Sequence, residues 1–450
     1  MLFSKSDIKK LVIPLIIEQL LAVLVGMSDI MMVSSAGEAA VSGVSLVDLI
    51  NVLINTVFAA LGTGGAVVAS QLLGARDEKK AKASANQLIY MAIAISLIIT
   101  VIALLVRRGL LHLLFGSVDA DVMQSALIYF TISAVSYPFI AVYNGGAALF
   151  RAMGNSKVSM IASTIMNLIN IAGNAICVFG LHMGVAGVAV PSLVSRIFSA
   201  ILMIVLLHNR KHVIHFEKLW RFKVDWRMMR RIVAIALPSS VENSMFQLGR
   251  LLLVSMISTF GTAQIAANAV ANTLDGFGII PGQAMGLALI TVIGRCVGAE
   301  AWDQSRFYLK KMMKMTYVFM FITNGGLLIG LKWILLLYNL SAEAYWYALI
   351  LVLIHGSCAM ILWPISFTLP NALRAANDVR PTMIISIFSM MVFRLGFSYI
   401  FGVMMQLGII GVWIAMVIDW LFRIACFLIR TRKIFWKNHP EDGCAIPKMN

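Results

Sequence analysis

The chain has 450 residues, of which 60% are hydrophobic and only 12% charged, and a formal net charge of +16. Soluble globular chains carry roughly 25% charged residues, so an apolar excess of this size needs the bilayer as its solvent. The basic residues sit in short loops between apolar runs, which sets aside a nucleic-acid reading of the charge in favour of orientation in a membrane.

Met1 to Lys10 is short and polar and lacks the pattern of a cleavable signal. Apolar runs of about 20 residues can cross a membrane as helices. Twelve such runs follow, at 11–33, 46–73, 86–106, 122–149, 158–180, 185–207, 232–258, 265–297, 312–331, 345–372, 382–404 and 409–430. Several are long enough to tilt or protrude. None alternates with period two, which excludes a β-barrel. Pro138, Pro281, Pro364 and Pro370 lie inside spans, where proline can kink a helix.

Lys and Arg fall into alternate loops. Lys5, Lys9 and Lys10 begin one basic set, which continues through Arg76–Lys82, Arg151, Lys157, 210–231, 295–314, Arg374, Arg380 and 430–437. Residues 34–45, 181–184, 259–264 and 405–408 hold no Lys or Arg, and Arg107, Arg108 and Lys332 are the exceptions. This alternation predicts a multi-pass protein of the cell (plasma or inner) membrane with both termini in the cytoplasm. The polar stretch 209–230 divides the chain into an N-terminal six-helix lobe, 1–208, and a C-terminal one, 231–433, with a cytoplasmic tail at 434–450. Cys177, Cys296, Cys358, Cys426 and Cys444 have no metal-pair or CxxC spacing, and most read as packing residues.

The two halves repeat at an offset of 224: Pro14 and Glu18 match Pro238 and Glu242, and Gly37 matches Gly261. Gly74-Ala75 matches Gly298-Ala299, and Gly184, Gly187 and Val188 match Gly408, Gly411 and Val412. Arg151-Ala152 matches Arg374-Ala375 after a one-residue slip. Six helices per half is an even number, so both halves enter with the same orientation and the repeat axis runs along the membrane normal, with a substrate pathway expected between the lobes.

Ionisable side chains inside a span cost roughly 2.5–3.5 kcal/mol on insertion scales and are functional candidates by default. Those here are Glu18, Asp29, Asp48, Arg196, Glu242, Arg250, Asp275, His355, Arg394 and Asp419. Asp48 aligns with Asn272 and Asn51 with Asp275, so polar groups one turn apart recur in the second and eighth spans, near Asn55 and Gln283. The spacing of eleven places Glu18 and Asp29 on one helix face, with Glu18 nearer the cytoplasm as a proton relay or an ion-pair partner. Glu242 and Arg250, eight residues apart with Gln247 between, lie on roughly one face, and Glu242 is expected to pair with Arg250 or Arg394.

Several stretches together resemble the MATE (multidrug and toxic compound extrusion) family. They include Pro14-Leu-Ile-Ile-Glu18, Gly26-Met-Ser-Asp29, Ser70-Gln71-Leu-Leu-Gly74-Ala75-Arg76 and Phe150-Arg151-Ala152-Met153-Gly154-Asn155. In the second half they include Pro238-Ser-Ser-Val-Glu242, Gly294-Arg295-Cys-Val-Gly298-Ala299 and Leu373-Arg374-Ala375-Ala376-Asn377-Asp378. The resemblance implies an all-α fold of twelve transmembrane helices in two pseudo-symmetric six-helix lobes forming a V. It also implies alternating-access antiport of amphipathic, often cationic small molecules against H⁺ or Na⁺, by a monomer that needs no cofactor.

Asp29 falls in the family's first-helix cation motif, where a carboxylate can take up a proton, Na⁺ or a cationic substrate. Asn170 and Asn174, one turn apart, align with its fifth-helix polar pair, and Ser192 with a sixth-helix Thr ligand. Some relatives have an aspartate at the second position of that pair, so the neutral Asn174 leaves Asp29 with more of the load. No metal cluster is read from the sequence beyond Na⁺ at Asp29, Asn170 and Asn174. His355 is the nearest titratable group to an acidic tenth-helix position of sodium-coupled relatives. Glu18, Asp48, Glu242, Gln247, Arg250, Asp275, Gln283 and His355 remain candidates for proton relay or substrate contact, each with a purely structural alternative. No HExxH, P-loop or nucleophile–base pair appears, which argues against an enzyme or an ATP-driven pump. A channel, a flippase for a lipid-linked precursor and an exporter of a single metabolite stay open as rivals.

Overall fold

In a computed structural model of the chain, residues 1–35, 37–116, 118–216 and 223–437 are described. Parts of the expected linker (217–222) and tail (438–450) lie outside them, and so does Cys444. The described residues form helices and no strand. They run as α1 (Lys5–Ser34), α2 (Glu38–Gly74), α3 (Glu78–Phe115), α4 (Ala120–Ala152), α5 (Ser156–Gly180), α6 (Ala186–His208) and α7 (Trp226–Ile257). There follow α8 (Thr262–Gly278), α9 (Ile280–Gly298), α10 (Trp302–Leu336), α11 (Ala342–Ala375), α12 (Val379–Met404) and α13 (Gly408–Lys437).

Eleven of these helices are long and apolar enough to cross a membrane. α7 falls short because it carries Glu242, Gln247 and Arg250 in its length. The span expected at 265–297 is corrected: it breaks at Ile279 into α8 and α9. Pro281 lies just beyond the break, and its ring and missing N–H work against continuing the turn from Phe277. Pro14, Pro138, Pro191 and Pro238 sit inside unbroken helices. Leu105, Leu113, Ile329 and Leu337 are 78–83% exposed, an arrangement that lipid solvates and water does not.

The chain divides into two units, Lys9–Ser240 and the residues from Val241 onward together with Met1–Ile8. In the first, α2 packs on α3 and α4, and α6 packs on α4 and α5. In the second, α11 packs on α8, α10 and α13, and Met1–Ile8 are tied to α10: Leu2 N donates to Gln304 Oε1 (2.8 Å) and Phe3 N to Tyr308 Oη (3.0 Å).

The repeat is present in the backbone. Left-handed residues recur in pairs: Gly37 with Gly261, Arg76 with Glu300, His182 with Gln406, Gly184 with Gly408, and, across the one-residue slip, Gly154 with Asn377. Gly37 (φ 99°, ψ 164°) and Gly261 (φ 101°, ψ 163°) open α2 and α8 in a conformation that side chains bearing a Cβ strongly disfavour. Gly187 and Gly411 are matched in a second way, since a Cβ on either would come within 3.1 Å or 2.7 Å of the backbone of Cys177 or Phe401.

The register slips to 223 at Arg374 and returns to 224 by Gln406, so the second repeat gains one residue between them. α12 absorbs it in widened, i→i+5 turns over Ser389–Gly396. Outside the spans, Asp77 caps α3 by accepting from Lys80 N (3.0 Å) and pairing with Lys80 Nζ (2.7 Å). The hydrogen bond from Lys80 holds the Asp77 carboxyl below the usual carboxylate range.

Candidate functional site

Ser159, Ser163, Asn167, Asn170 and Asn174 fall three or four residues apart and make one buried polar stripe along α5. The upper end of this stripe meets α1 and α6. Asn174 Nδ2 donates to Asp29 Oδ1 at 2.8 Å and to Asn170 Oδ1 at 3.3 Å. Asn170 Nδ2 donates to Ser192 Oγ at 2.8 Å, and Ser192 donates onward to Val188 O at 2.9 Å. The structure thus joins Asp29, Asn170, Asn174 and Ser192 in one chain of hydrogen bonds from three helices. Asn174 Oδ1 is buried with no donor among the described residues. A buried carbonyl beside a carboxylate and a second amide oxygen is the kind of oxygen set a hard cation uses.

A second cluster on α2, α4 and α6 adjoins it. Asp48 Oδ1 accepts from Tyr129 Oη (3.2 Å) and Asn51 Nδ2 (3.3 Å), and Asn51 Oδ1 accepts from Tyr137 Oη (2.9 Å). Arg196 Nη1 donates to Ser136 Oγ at 2.6 Å. Asp48 and Arg196 both act electrostatically on Asp29. Two carboxylates facing one guanidinium leave one negative charge uncompensated, which one proton or one monovalent cation would balance. Tyr129, Tyr137 and Ser136 were not singled out in the sequence; their seven- and eight-residue spacings on α4 hold the usable signal.

Glu18 stands apart from Asp29 on α1, about 16 Å along the axis. It is buried, and accepts from Arg151 Nη1 (3.3 Å) and Ser159 Oγ (2.8 Å). In the second unit Glu242 accepts from Arg374 Nη2 at 2.7 Å, and Arg374 Nη1 donates to Asn371 Oδ1 at 2.8 Å. The expected pairing of Glu242 with Arg250 or Arg394 is corrected: Arg374 takes that place. Arg151 and Arg374 were visible as repeat partners, and reading them with the repeated glutamates gives both pairs.

The other candidates of the second unit do not converge on Glu242. His355 Nε2 lies 2.7 Å from Asp275 Oδ1, with its ring edge-on to Trp413 and Trp420. Arg423 Nε donates to Asp419 Oδ1 at 3.0 Å, Ser389 Oγ donates to the same oxygen, and the Arg423 guanidinium stacks 5.1 Å from the Phe367 ring centre. Arg250 and Arg394 line a small cavity. Gln247 is half-buried and Gln283 exposed, and neither side chain bonds to a described residue.

The profile of the MatE family matches residues 14–176 and 238–400, two segments that begin and end 224 residues apart. The uncharacterized transporter YisQ of Bacillus subtilis (strain 168) is 27% identical over 94% of this chain and 93% of its own length. A probable multidrug resistance protein, NorM, of Thermotoga maritima is 24% identical over 93% of this chain and 90% of its own. Among solved structures, an outward-facing multidrug resistance MATE family transporter of the MOP superfamily superposes with a TM-score of 0.89 at 22% identity, covering 95% of each chain.

Proposed function

The chain belongs to the MatE family of multi-pass membrane transporters, and from that premise we propose that it exports amphipathic, often cationic small molecules in exchange for H⁺ or Na⁺. Relatives named as multidrug resistance and multidrug export proteins support the cargo class. The observation that carries ion coupling is the uncompensated charge among Asp29, Asp48 and Arg196, next to the unpartnered Asn174 Oδ1. Asp29 carries the proton or Na⁺, Asn170 and Asn174 contribute oxygens, and Ser192 orients Asn170. The ion drives the cycle through its different affinity for two conformations of the transporter. The two lobes, 1–208 and 231–433, work as a monomer in the cell membrane, with the termini and the 209–230 linker on the cytoplasmic side.

The test is efflux of cationic dyes from proteoliposomes under an imposed pH gradient and, separately, a Na⁺ gradient. Uphill efflux under one gradient, lost in Asp29→Asn, supports antiport coupled at this site. Uphill efflux that persists in Asp29→Asn removes Asp29 from the coupling role. No dye movement under either gradient favours a flippase or a single-metabolite exporter.

A further inference from the structure

Two grooves run along α10, both within the second unit. One, of about 640 Å³, follows the first half of the helix and is lined by Lys310, Lys314, Tyr317, Val318, Phe321 and Ile322 among others. The other, of about 630 Å³, lies between α8 and the second half, with Leu274, Phe277, Leu327 and Ile334 in its wall. The two match in volume and in apolar lining. They differ in charge: the second has no charged side chain among the described residues that line it, while the first ends in two lysines.

Lys310 and Lys314 are exposed, one turn apart, and on the face that continues through Tyr317 and Phe321. Neither has a carboxylate partner among the described residues. Asp303, the acid of the same helix, is taken by Arg306. Lys310 Nζ stands 5.5 Å from the centre of the Trp436 ring. The end of α13 that carries Trp436 is fastened to α10: Arg306 Nη1 donates to Phe435 O (3.0 Å), and the Trp302 and Phe435 rings meet edge to face. Arg432, Lys433 and Lys437 are exposed on that same end of α13. A surplus of cations gathered at one end of a groove draws an anion to it.

The length of the groove says what the anion is attached to. From Lys310 to Ile322 the helix rises about 18 Å. One leaflet of a hydrocarbon core about 30 Å thick is roughly 15 Å deep. With the ammonium groups in the head-group layer, which lysine stems reach along apolar surface, the apolar floor extends to the middle of the bilayer. Val318, Phe321 and Ile322 are exposed along that floor. A free phosphate would use the lysines and leave this length bare. A zwitterionic lipid would bring a cation of its own to the lysines.

We propose that this groove is a binding site for one anionic phospholipid, its phosphate on Lys310 and Lys314 and one acyl chain along Tyr317 to Ile322, in the leaflet that meets the basic loops. The site rests on residence in a membrane and is independent of the cargo and of the coupling ion.

The test is native mass spectrometry of the purified full-length protein in detergent, titrated with phosphatidylglycerol, with phosphatidylcholine of the same chains, and with glycerol 3-phosphate. Wild type is expected to hold one phosphatidylglycerol about tenfold or more tightly than phosphatidylcholine. Lys310→Gln with Lys314→Gln is expected to lose that preference, with phosphatidylcholine changed by less than about twofold. Lys9→Gln with Lys10→Gln removes the same charge from another exposed basic stretch and is expected to keep it. Phe321→Ala with Ile322→Ala is expected to weaken both lipids together by about threefold or more, leaving the preference in place. All these side chains are exposed, so the changes leave the packed interior alone. No preference in wild type, equal loss in the two double-lysine variants, or unchanged lipid binding in the Phe321 and Ile322 variant overturns the proposal. Glycerol 3-phosphate bound as tightly as phosphatidylglycerol would assign the lysines to a free phosphate and overturn it as well.

Discussion

Arg374 Nη2 lies 2.7 Å from Glu242 Oε1, and the residues that make this contact are the repeat partners of Arg151 and Glu18, which meet at 3.3 Å. Both pairs are largely buried and each lies within its own unit. Removing one partner strands a buried charge, which typically costs 3–5 kcal/mol, about the cost expected of Arg374→Met or Arg151→Met. Removing both partners, as in Glu242→Met with Arg374→Met, should cost much less than the sum of the single changes. Thermal unfolding of wild type, Glu242→Met, Arg374→Met and the double variant in detergent checks this; additive losses would mean the pair is not a coupled unit.

Asp29→Asn keeps the shape of the hydrogen-bond chain and removes its charge. Gradient-driven efflux should fall to the level of protein-free vesicles, with the fold intact by circular dichroism. Asn174→Ala removes a 2.8 Å hydrogen bond to the same carboxylate. Bonds to charged groups contribute about 1.5–3 kcal/mol and favour the charged carboxylate, so under H⁺ coupling this variant should strengthen proton binding, whereas under Na⁺ coupling loss of Oδ1 should weaken ion binding, by roughly tenfold in either case and without abolishing transport. Efflux measured against ion concentration separates the two, and an unshifted ion dependence in Asn174→Ala would exclude the amide from the ion's shell.

Gly37→Ala and Gly261→Ala meet no neighbouring atom within 4 Å, so any effect comes from the backbone alone. A residue with a Cβ at φ near 100° costs about 1–3 kcal/mol. Each variant should lower the melting temperature, and by similar amounts, because the two helix starts share one conformation. A drop at one position and none at the other would show that the repeat's backbone is not held alike in both units.

The cap on α3 carries a pH dependence. The hydrogen bond from Lys80 favours the ionised Asp77 in the folded state, so the carboxylate contributes stability above the unfolded value of about 3.9, and the contribution is lost as pH falls through the lower folded value. The melting temperature of Asp77→Asn should therefore lie below wild type at neutral pH, and the gap should close on acidification below about 4. A gap that widens on acidification would reverse the sign and refute the cap's role.

Helix order and duplication were legible because span length and hydropathy are set by the bilayer and need no tertiary knowledge. Asp29, Asn170, Asn174 and Ser192 were placed together through the family resemblance and the one-turn spacing of the two asparagines. Two features were not legible. The break at Ile279 competes with an apolar run that reads as continuous, and other prolines leave their helices whole. The partner of Glu242 lies 132 residues away, and proximity along one helix pointed to Arg250, which a rise of about 1.5 Å per residue puts some 12 Å distant. Such long-range pairing is decided by packing between helices, which periodicity on one helix does not encode.

The extra residue in α12 has a bearing on how the two halves diverged. One inserted residue would swing everything after it around the helix by about 100° and lift it by about 1.5 Å. Wider winding at Ser389–Gly396 takes up that swing within two turns, so Phe401 and Gly402 still meet Gly411 as Cys177 and Val178 meet Gly187. The extra residue is thus confined to the stretch that carries Arg394, and the helix on either side keeps the register of its counterpart in the first half.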